Sequence, residues 1–396
     1  MDIEIDPKRA VVFGLSKIPE FGEVLSFLVE ILWPDKGGED PWDLIKDRTE
    51  QLINQKIDDY AYGRVQASLN GIKDHFDEFK ATLQATTDPE HRFASFESLK
   101  GSFLDHAPEF QQNQYQTLLL PLFSQFANMH LSFLRTGYQH GQDQMNLEPA
   151  EVTLLRNDLK STTKNYSDYV TVTLDAAMNV KFAELDPRID FVRSMTLNVV
   201  DYATLWKYMD PDAAPPSGMP LPREIFSPAA GVDNPYFHQP SDQGYYPPPP
   251  SADKISRIMV WGAAAIDAIQ VWYGDKATPK MGGNGGFLNQ DLNLADNGHG
   301  ELTLIETWSW DLVSGLRLHC KDGSIADAGA VGQERQLNLS PPEGHYISSI
   351  SVISRFHDAT RGWLYNDLVR TLYCGFKFNP DALTPQTFRG VHLPTK

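Results

Sequence analysis

Cysteine is nearly absent: only Cys320 and Cys374 occur in 396 residues. A disulfide scaffold is therefore excluded. What remains is one bridge or two unpaired buried thiols, and so few cysteines favour the thiols. Positive charge is also short, with 34 Lys and Arg against 52 Asp and Glu and a formal net charge of -18. A duplex binder needs a basic face to release counterions, so nucleic acid is excluded as a partner. Simple electrostatic docking on anionic lipid is excluded for the same reason. The opening "MDIEIDPKRA" is acidic where a secretory leader starts cationic and then runs apolar, so no cleavable signal is expected.

Catalytic signatures are missing too. The chain has no H-E-x-x-H, no G-x-S-x-G, no G-x-x-x-x-G-K-[ST] and no paired C-x-x-C. "GGNGGF" lacks the lysine and serine of a phosphate loop; it reads as a tight turn between strands or as a ligand loop. His75, His91, His106 and His140 show no metal-ligand spacing. The expectation is a protein that is not an enzyme, with no cofactor and no metal.

A chain of this length exceeds one ordinary core, so two domains are expected, or three. From about 10 to 209 the apolar residues recur at helical spacing in roughly seven segments. "DPWDLIKDRTEQLINQKI" begins with Asp40 placed as an N-cap and Pro41 at the first helical position. Residues 210–254 are crowded with proline, as in "DAAPPSGMPLP" and "YYPPPP", and read as an extended connector. Beyond it, "KISRIMVW", "AIDAIQVWYG", "GELTLIETWSW", "SGLRLHC", "ERQLNLS", "YISSISVI" and "RTLYCGFKF" are short strand-like runs punctuated by turn residues. The reading is a multi-domain α and β protein: a helical bundle over 1–210, a proline-rich linker over 211–254 and an all-β domain over 255–396.

Formal charge is missing from one long stretch. Between Phe110 and Gln142 only Arg135 carries any. On a helical wheel of "LLLPLFSQFANMHLSFLR" (118–135), Ser124, Gln125, Asn128, Ser132 and Arg135 fall in a sector of about 100°, with leucines and phenylalanines over most of the rest. Only His130 is polar on the opposite side. Such a helix belongs at the centre of a bundle. At about 1.5 Å per residue it is also long enough for a bilayer core of about 30 Å. His130 alone reads as a satisfied core histidine rather than a ligand or proton switch.

"YQTLLLPLFSQFANMHLSFLR" resembles the central helix of the three-domain insecticidal crystal toxins, the Cry-type delta-endotoxins, through Leu119, Leu120, Pro121, Ala127, Asn128, His130 and Leu131. Three further segments resemble the same family in the same order. They are the "LWP…DPWDLIKDRTEQLINQKI" run with Glu50, Leu52 and Ile53; "FVRSMTLNVVDYATLWKYMDP" with Arg193, Met195, Thr196, Val200, Asp201 and Asp210; and "LPREIF" at 221–226. The resemblance implies a seven-helix bundle with a central apolar helix that rearranges on a target-cell membrane and opens a pore, acting as a homo-oligomer there. It implies that Phe93–His106 and Tyr115–Tyr138 insert as a hairpin. Glu97 and Asp105 would then face water, Leu119 and Leu120 would lie in the inserted helix, and Ser124, Gln125, Asn128, Ser132 and Arg135 would face neighbours or the lumen, with His130 on the other side. It further implies accumulation in the producing cell, as inclusions, before release.

The C-terminal part departs from that family, since only about 140 residues follow the linker. "IDAIQVWYG…MGGNGGF" resembles jacalin-related lectins, which are β-prisms, and implies a receptor- or glycan-binding domain. "RGWLYNDLVRTL" resembles their sugar loop, with Gly362 and Asp367 one place out of the usual spacing, Asn366 in the expected place and Trp363 beside them. The alternative reading is a lectin-like carbohydrate-binding, storage or defence protein whose helical domain never inserts.

Overall fold

The computed structural model describes residues 28–30, 32–33, 40–178, 185–213, 224–231, 245–246, 254–295, 298–309, 312–332, 335–342, 344–354, 357–358, 363–364 and 368–379. Residues 1–181 with 194–221 form one compact unit, and residues 182–193 with 222–396 form a second. The mixed class expected from the pattern is what the structure has, helices first and antiparallel sheets after.

Among the described residues seven α-helices follow one another: α1 (Pro41–Ile53), α2 (Asp59–Ala85), α3 (Pro89–His106), α4 (Gln116–Met145), α5 (Pro149–Met178), α6 (Leu185–Met195) and α7 (Asp201–Trp206). Aspartate starts the first three. Asp40 accepts from the Trp42 amide at 2.9 Å, Asp58 from Ala61 at 2.7 Å and Asp88 from Glu90 at 3.1 Å, and Pro41 and Pro89 follow two of these caps. Each side chain satisfies one of the amides that a helix start leaves open. Left-handed Asn54 and Asn146 close α1 and α4. The run "DFVRSMTLNVVDYATLWKYM" does not form one uniform helix: a π-turn over Thr196–Val200 separates α6 from α7, and a 3-10 turn over Lys207–Met209 ends it. The expected first helix, "EFGEVLSFLVEILW", lies largely outside the described residues.

The core of this unit is an aromatic ladder between α4 and α3 with the 3-10 turn that follows it, Ala107–Gln111. Along α4, Phe126 stacks on Phe110 at 4.6 Å between ring centroids, His130 on Phe103 at 4.8 Å, and Phe133 on Phe96 at 4.3 Å. The rungs fall every three to four residues because that spacing keeps side chains on one helical face. Phe79 of α2 meets Phe133 edge-on at 6.0 Å. Gly137, one turn further, faces the Phe96 ring so closely that a Cβ there would overlap it.

Among the described residues of the second unit every strand pairing is antiparallel, in three sheets and one two-stranded ribbon. One sheet has Glu224–Phe226, Thr371–Phe378, His345–Ile353 and Tyr245–Tyr246 in that order, with Ala230–Gly231 also on Thr371–Phe378. A second has Ile325–Gly329, Val313–Cys320, Leu302–Ser309 and Arg335–Leu339. The third has Lys276–Ala277, Ile266–Tyr273, Ile255–Gly262 and Phe287–Asn293, with Met281–Gly282 also on Ile266–Tyr273. The sheets pack on one another: the Ile350 amide donates to the Tyr273 hydroxyl at 3.3 Å, and the Gln290 amide to the Asp327 carbonyl at 2.7 Å. Seven strands match the runs read from the sequence. Phe287–Asn293 was not among them, because its exposed polar residues give no apolar alternation. Within 211–254, three short described strands belong to the first sheet.

A common device recurs in two of the sheets. Arg257 forks onto Asp291 at 2.7 and 2.6 Å and lies 4.9 Å from the Trp272 ring centre. Arg317 forks onto Asp327 at 2.7 and 2.8 Å and lies 5.6 Å from Trp308. In each case an arginine on an inner strand grips an acid on one neighbouring strand and an indole on the other, which pins three strands together. Cys320 and Cys374 are both free and buried.

Phe133 should be the most sensitive rung of the ladder, since its ring touches Phe79, Phe96 and Phe103. Phe133→Ala should lower unfolding free energy by about 3–5 kcal/mol, measured by urea denaturation at neutral pH.

Candidate functional site

The site that the sequence singles out is α4, and the structure encloses it. Residues 118 to 134 are buried without a break, with Leu119, Leu120, Ser124 and Asn128 fully so. A helix surrounded this way is stable only if it carries no charge in that span and most of its polar atoms are met from within the protein.

Two members of the polar stripe, Asn128 and Arg135, are met by other helical segments. The Trp206 indole of α7 donates to the Asn128 side-chain oxygen at 2.7 Å, and the Asn128 amide in turn donates to Gln125 at 3.2 Å. Arg135 donates to the Tyr208 and Met209 carbonyls at 2.8 and 3.2 Å. It thereby satisfies the open carbonyls at the C-terminal end of the last helical segment, where a cation is favoured. Burial pulls the Arg135 pKa below its ordinary value. Ser124 bonds back to the Leu120 carbonyl at 2.9 Å, as buried helical serines do. The Ser132 hydroxyl has no partner.

His130 stands on the other side, as the wheel required. Its Nδ1 lies 2.8 Å from the Tyr166 hydroxyl of α5. Burial, with a smaller contribution from Lys100, holds its pKa down to about 3, so the ring is neutral. Burial likewise raises the Tyr166 pKa, so that hydroxyl keeps its proton. Glu97 and Asp105 are exposed on α3, away from this core. Tyr166, Trp206 and the Lys100–Asp158 ion pair at 2.8 Å join the site only in the structure. The aromatic pair of "NYSDYV" was the visible trace of the first, but which helix it meets is a long-range fact.

Among the described residues no helix is long and apolar enough to cross a membrane. The expectation from its length, that 118–135 could reach across a bilayer core, is thus not matched by its hydropathy. Length is not what fails, since α4 has 30 residues. What lowers its mean hydropathy is the polar stripe, His130 and Arg135.

The lectin-like loop residues Gly362, Asn366 and Asp367 lie outside the described residues. Trp363 is described in backbone only, paired with Asp358 in the two-stranded ribbon. The "GGNGG" turn closes on Asp267. Gly283 donates its amide to the Asp267 carbonyl at 2.9 Å, and a Cβ on Gly282, Gly285 or Gly286 would strike Asp267. Gly282 and Gly286 also take left-handed φ values of 126° and 68°. Close packing therefore accounts for these glycines without a ligand.

One group has the composition of a hydrolase triad but not its geometry. Asp322 and Ser324 both reach Nδ1 of His299, at 2.9 and 3.0 Å, whereas an acyl-transfer relay needs serine and acid on opposite ring nitrogens. Ser324 also donates to Asp322 at 2.6 Å, and this bond is the main reason the Asp322 pKa is held at about 2. Among the described residues no three His, Cys, Asp or Glu side chains gather as metal ligands.

Asn128→Leu should leave the buried Trp206 N–H without an acceptor and cost about 1–3 kcal/mol. In a double-mutant cycle with Trp206→Phe, the second substitution should cost much less in the Asn128→Leu background, as read from urea midpoints.

The helical unit coincides with a known family. The profile of the delta endotoxin N-terminal domain matches residues 10–210. Pesticidal crystal protein Cry2Ab of Bacillus thuringiensis subsp. kurstaki is 31% identical over 189 residues, which are 46% of this chain and 30% of that protein. This chain thus spans about a third of the length of the curated relatives it matches. In fold it is similar to a Bacillus thuringiensis Cry1Da tryptic core variant, with a TM-score of 0.75 at 16% identity over 96% of this chain and 74% of that one. It is also similar to PirB, with a TM-score of 0.72 at 16% identity over 96% of both chains. The enclosed central helix and the profile match over half of the sequence lead to one conclusion: the chain belongs to the delta endotoxin N-terminal domain family.

Proposed function

We propose that this protein is a pore-forming toxin of the delta-endotoxin type, acting at a target-cell membrane. The observation that carries the reading is an α4, within the region that matches the family, that is mostly apolar over 118–134 and enclosed there. The names of the matched relatives, pesticidal and parasporal crystal proteins, support an insecticidal role and accumulation as crystals in the producing cell. In this reading α3 and α4 insert as a hairpin. In lipid each helix keeps its backbone bonds, so only side-chain partners are exchanged. Glu97 and Asp105 turn to water, and the stripe from Ser124 to Arg135 turns to neighbouring helices or the lumen. A stripe of uncharged polar residues that ends at Arg135 is best met by other helices, so insertion goes with assembly into a homo-oligomer.

The β domain, 255–396 in the proposed division, recognises a membrane glycoprotein or glycan, with the 362–367 loop as the contact. Asn366 or Asp367 would accept sugar hydroxyls and Trp363 would offer an apolar face. No catalytic step is assigned. The competing reading is a glycan-binding protein whose bundle stays shut, which the polarity of α4 favours.

Two experiments decide between them. Cysteines placed by Lys100→Cys and Asp158→Cys sit on α3 and α5 where the native side chains meet at 2.8 Å, and a bismaleimide can bridge them. The bridged protein should keep its near-ultraviolet circular dichroism and lose dye release from liposomes. Equal release with and without the bridge would falsify insertion of this hairpin. On a glycan array, Trp363→Ala with Asp367→Ala should abolish binding; binding that survives removes the loop from the receptor site.

A further inference from the structure

His130 is the only side chain in 118–134 of a type whose ordinary pKa lies near neutrality. It sits where a proton is hardest to accept. The residue is 1% exposed. Its ring lies parallel to Phe103 of α3, with 5° between the planes, and Phe126 of its own helix closes another side at 6.0 Å. Nδ1 faces the Tyr166 hydroxyl of α5, and Nε2 has no hydrogen-bond partner. The charge that acts on the ring is positive: the Lys100 ammonium of α3, which is itself paired with Asp158 of α5. Its own helix brings no charge between 116 and 134. An imidazolium here would carry two N–H groups with at most one acceptor, against aromatic faces and near a cation.

We propose that His130 is an acid-sensitive latch: a proton on its ring breaks the packing that holds α4 between α3 and α5 and opens the bundle at this point. The sign follows from proton affinity. In the closed bundle the ring's pKa is held near 3, whereas an opened, hydrated ring returns to about 6.5. Between these values the opened form binds one more proton. The opening constant therefore rises by up to about tenfold for each pH unit below about 6.5, from this group alone, and levels off near pH 3. Above about 6.5 the latch is silent. Both Tyr166 and Phe103 are needed, since one fixes the ring by its hydroxyl and the other covers its face. The latch stands on the packing; its use in releasing α3 and α4 to a membrane rests on the insertion proposed above.

The test uses the full chain with no membrane present. Urea stability is measured from pH 7.5 to 4.5 for the wild type, for His130→Gln, and for His130→Phe combined with Tyr166→Phe, which leaves no orphaned polar atom. The wild type should lose stability more steeply than either variant, by up to about tenfold in the unfolding constant per unit below pH 6.5. Should the double variant not fold, the glutamine variant is judged by the same criterion. Nuclear magnetic resonance of the labelled imidazole should show no titration in the folded wild type down to pH 4.5. Equal slopes, or a ring that titrates near 6.5 while the bundle is folded, overturn the latch whether or not the protein permeabilises liposomes. A steeper wild-type slope with no dye release at any pH upholds the latch and overturns the insertion reading.

Discussion

The helical unit depends on keeping one helix entirely out of water. From Leu118 to Leu134 every residue of α4 is buried, so neighbours must cover it on all sides and meet most of its polar atoms from within. That requirement explains features that are otherwise unrelated. Phe96, Phe103 and Phe110 recur at helical spacing because they face the ladder on α4. Trp206 is fully buried with its indole turned to Asn128, which gives the Asn128 side-chain oxygen a donor in an apolar interior. Arg135 marks where the uncharged span ends, and its guanidinium is spent on carbonyls at the close of the last helical segment.

The contacts around α4 fall into two chemical kinds. Towards α3 they are mostly aromatic stacks, which two helices carry with them if they move together. Towards α5 and the segment 201–209 they include directional hydrogen bonds, through His130, Asn128 and Arg135. Apolar surface is tolerant of a change from protein to lipid, while buried hydrogen bonds must be replaced one for one. A movement that kept α3 with α4 would preserve the first kind and exchange the second. The Lys100–Asp158 pair is the polar tie from α3 across to α5. Its two ends are partly exposed, so solvent replaces it at small cost.

In the β unit, three sheets share the work differently. Their inner faces supply residues such as Ile258, Val260, Ile305, Leu318 and Ile350, all essentially unexposed. Outward, Arg257 and Arg317 lock strands by gripping an acid and an indole. The glycine turn over 282–286 fits so tightly against Asp267 that side chains there have no room. A glycine-rich loop can look like a ligand cradle in sequence and prove to be a close-packed corner.

The sequence by itself determined the order of helices and strands, the caps at Asp40 and Pro41, the isolation of the uncharged span and the position of His130 opposite the stripe. All of these rest on local periodicity and backbone chemistry, which act over a few residues and so leave a mark in the letters. It did not disclose the π-turn at Thr196–Val200 within a continuous helical pattern, nor the polar strand Phe287–Asn293, whose place is set by the neighbour it pairs with. The partners were likewise invisible: His130 with Tyr166, Asn128 with Trp206, Asp267 under the glycines. These join residues far apart in the chain, and many polar side chains of the same type could have filled each role. Only the tertiary structure decided which did, because burial removes water as an alternative partner and makes the choice binding.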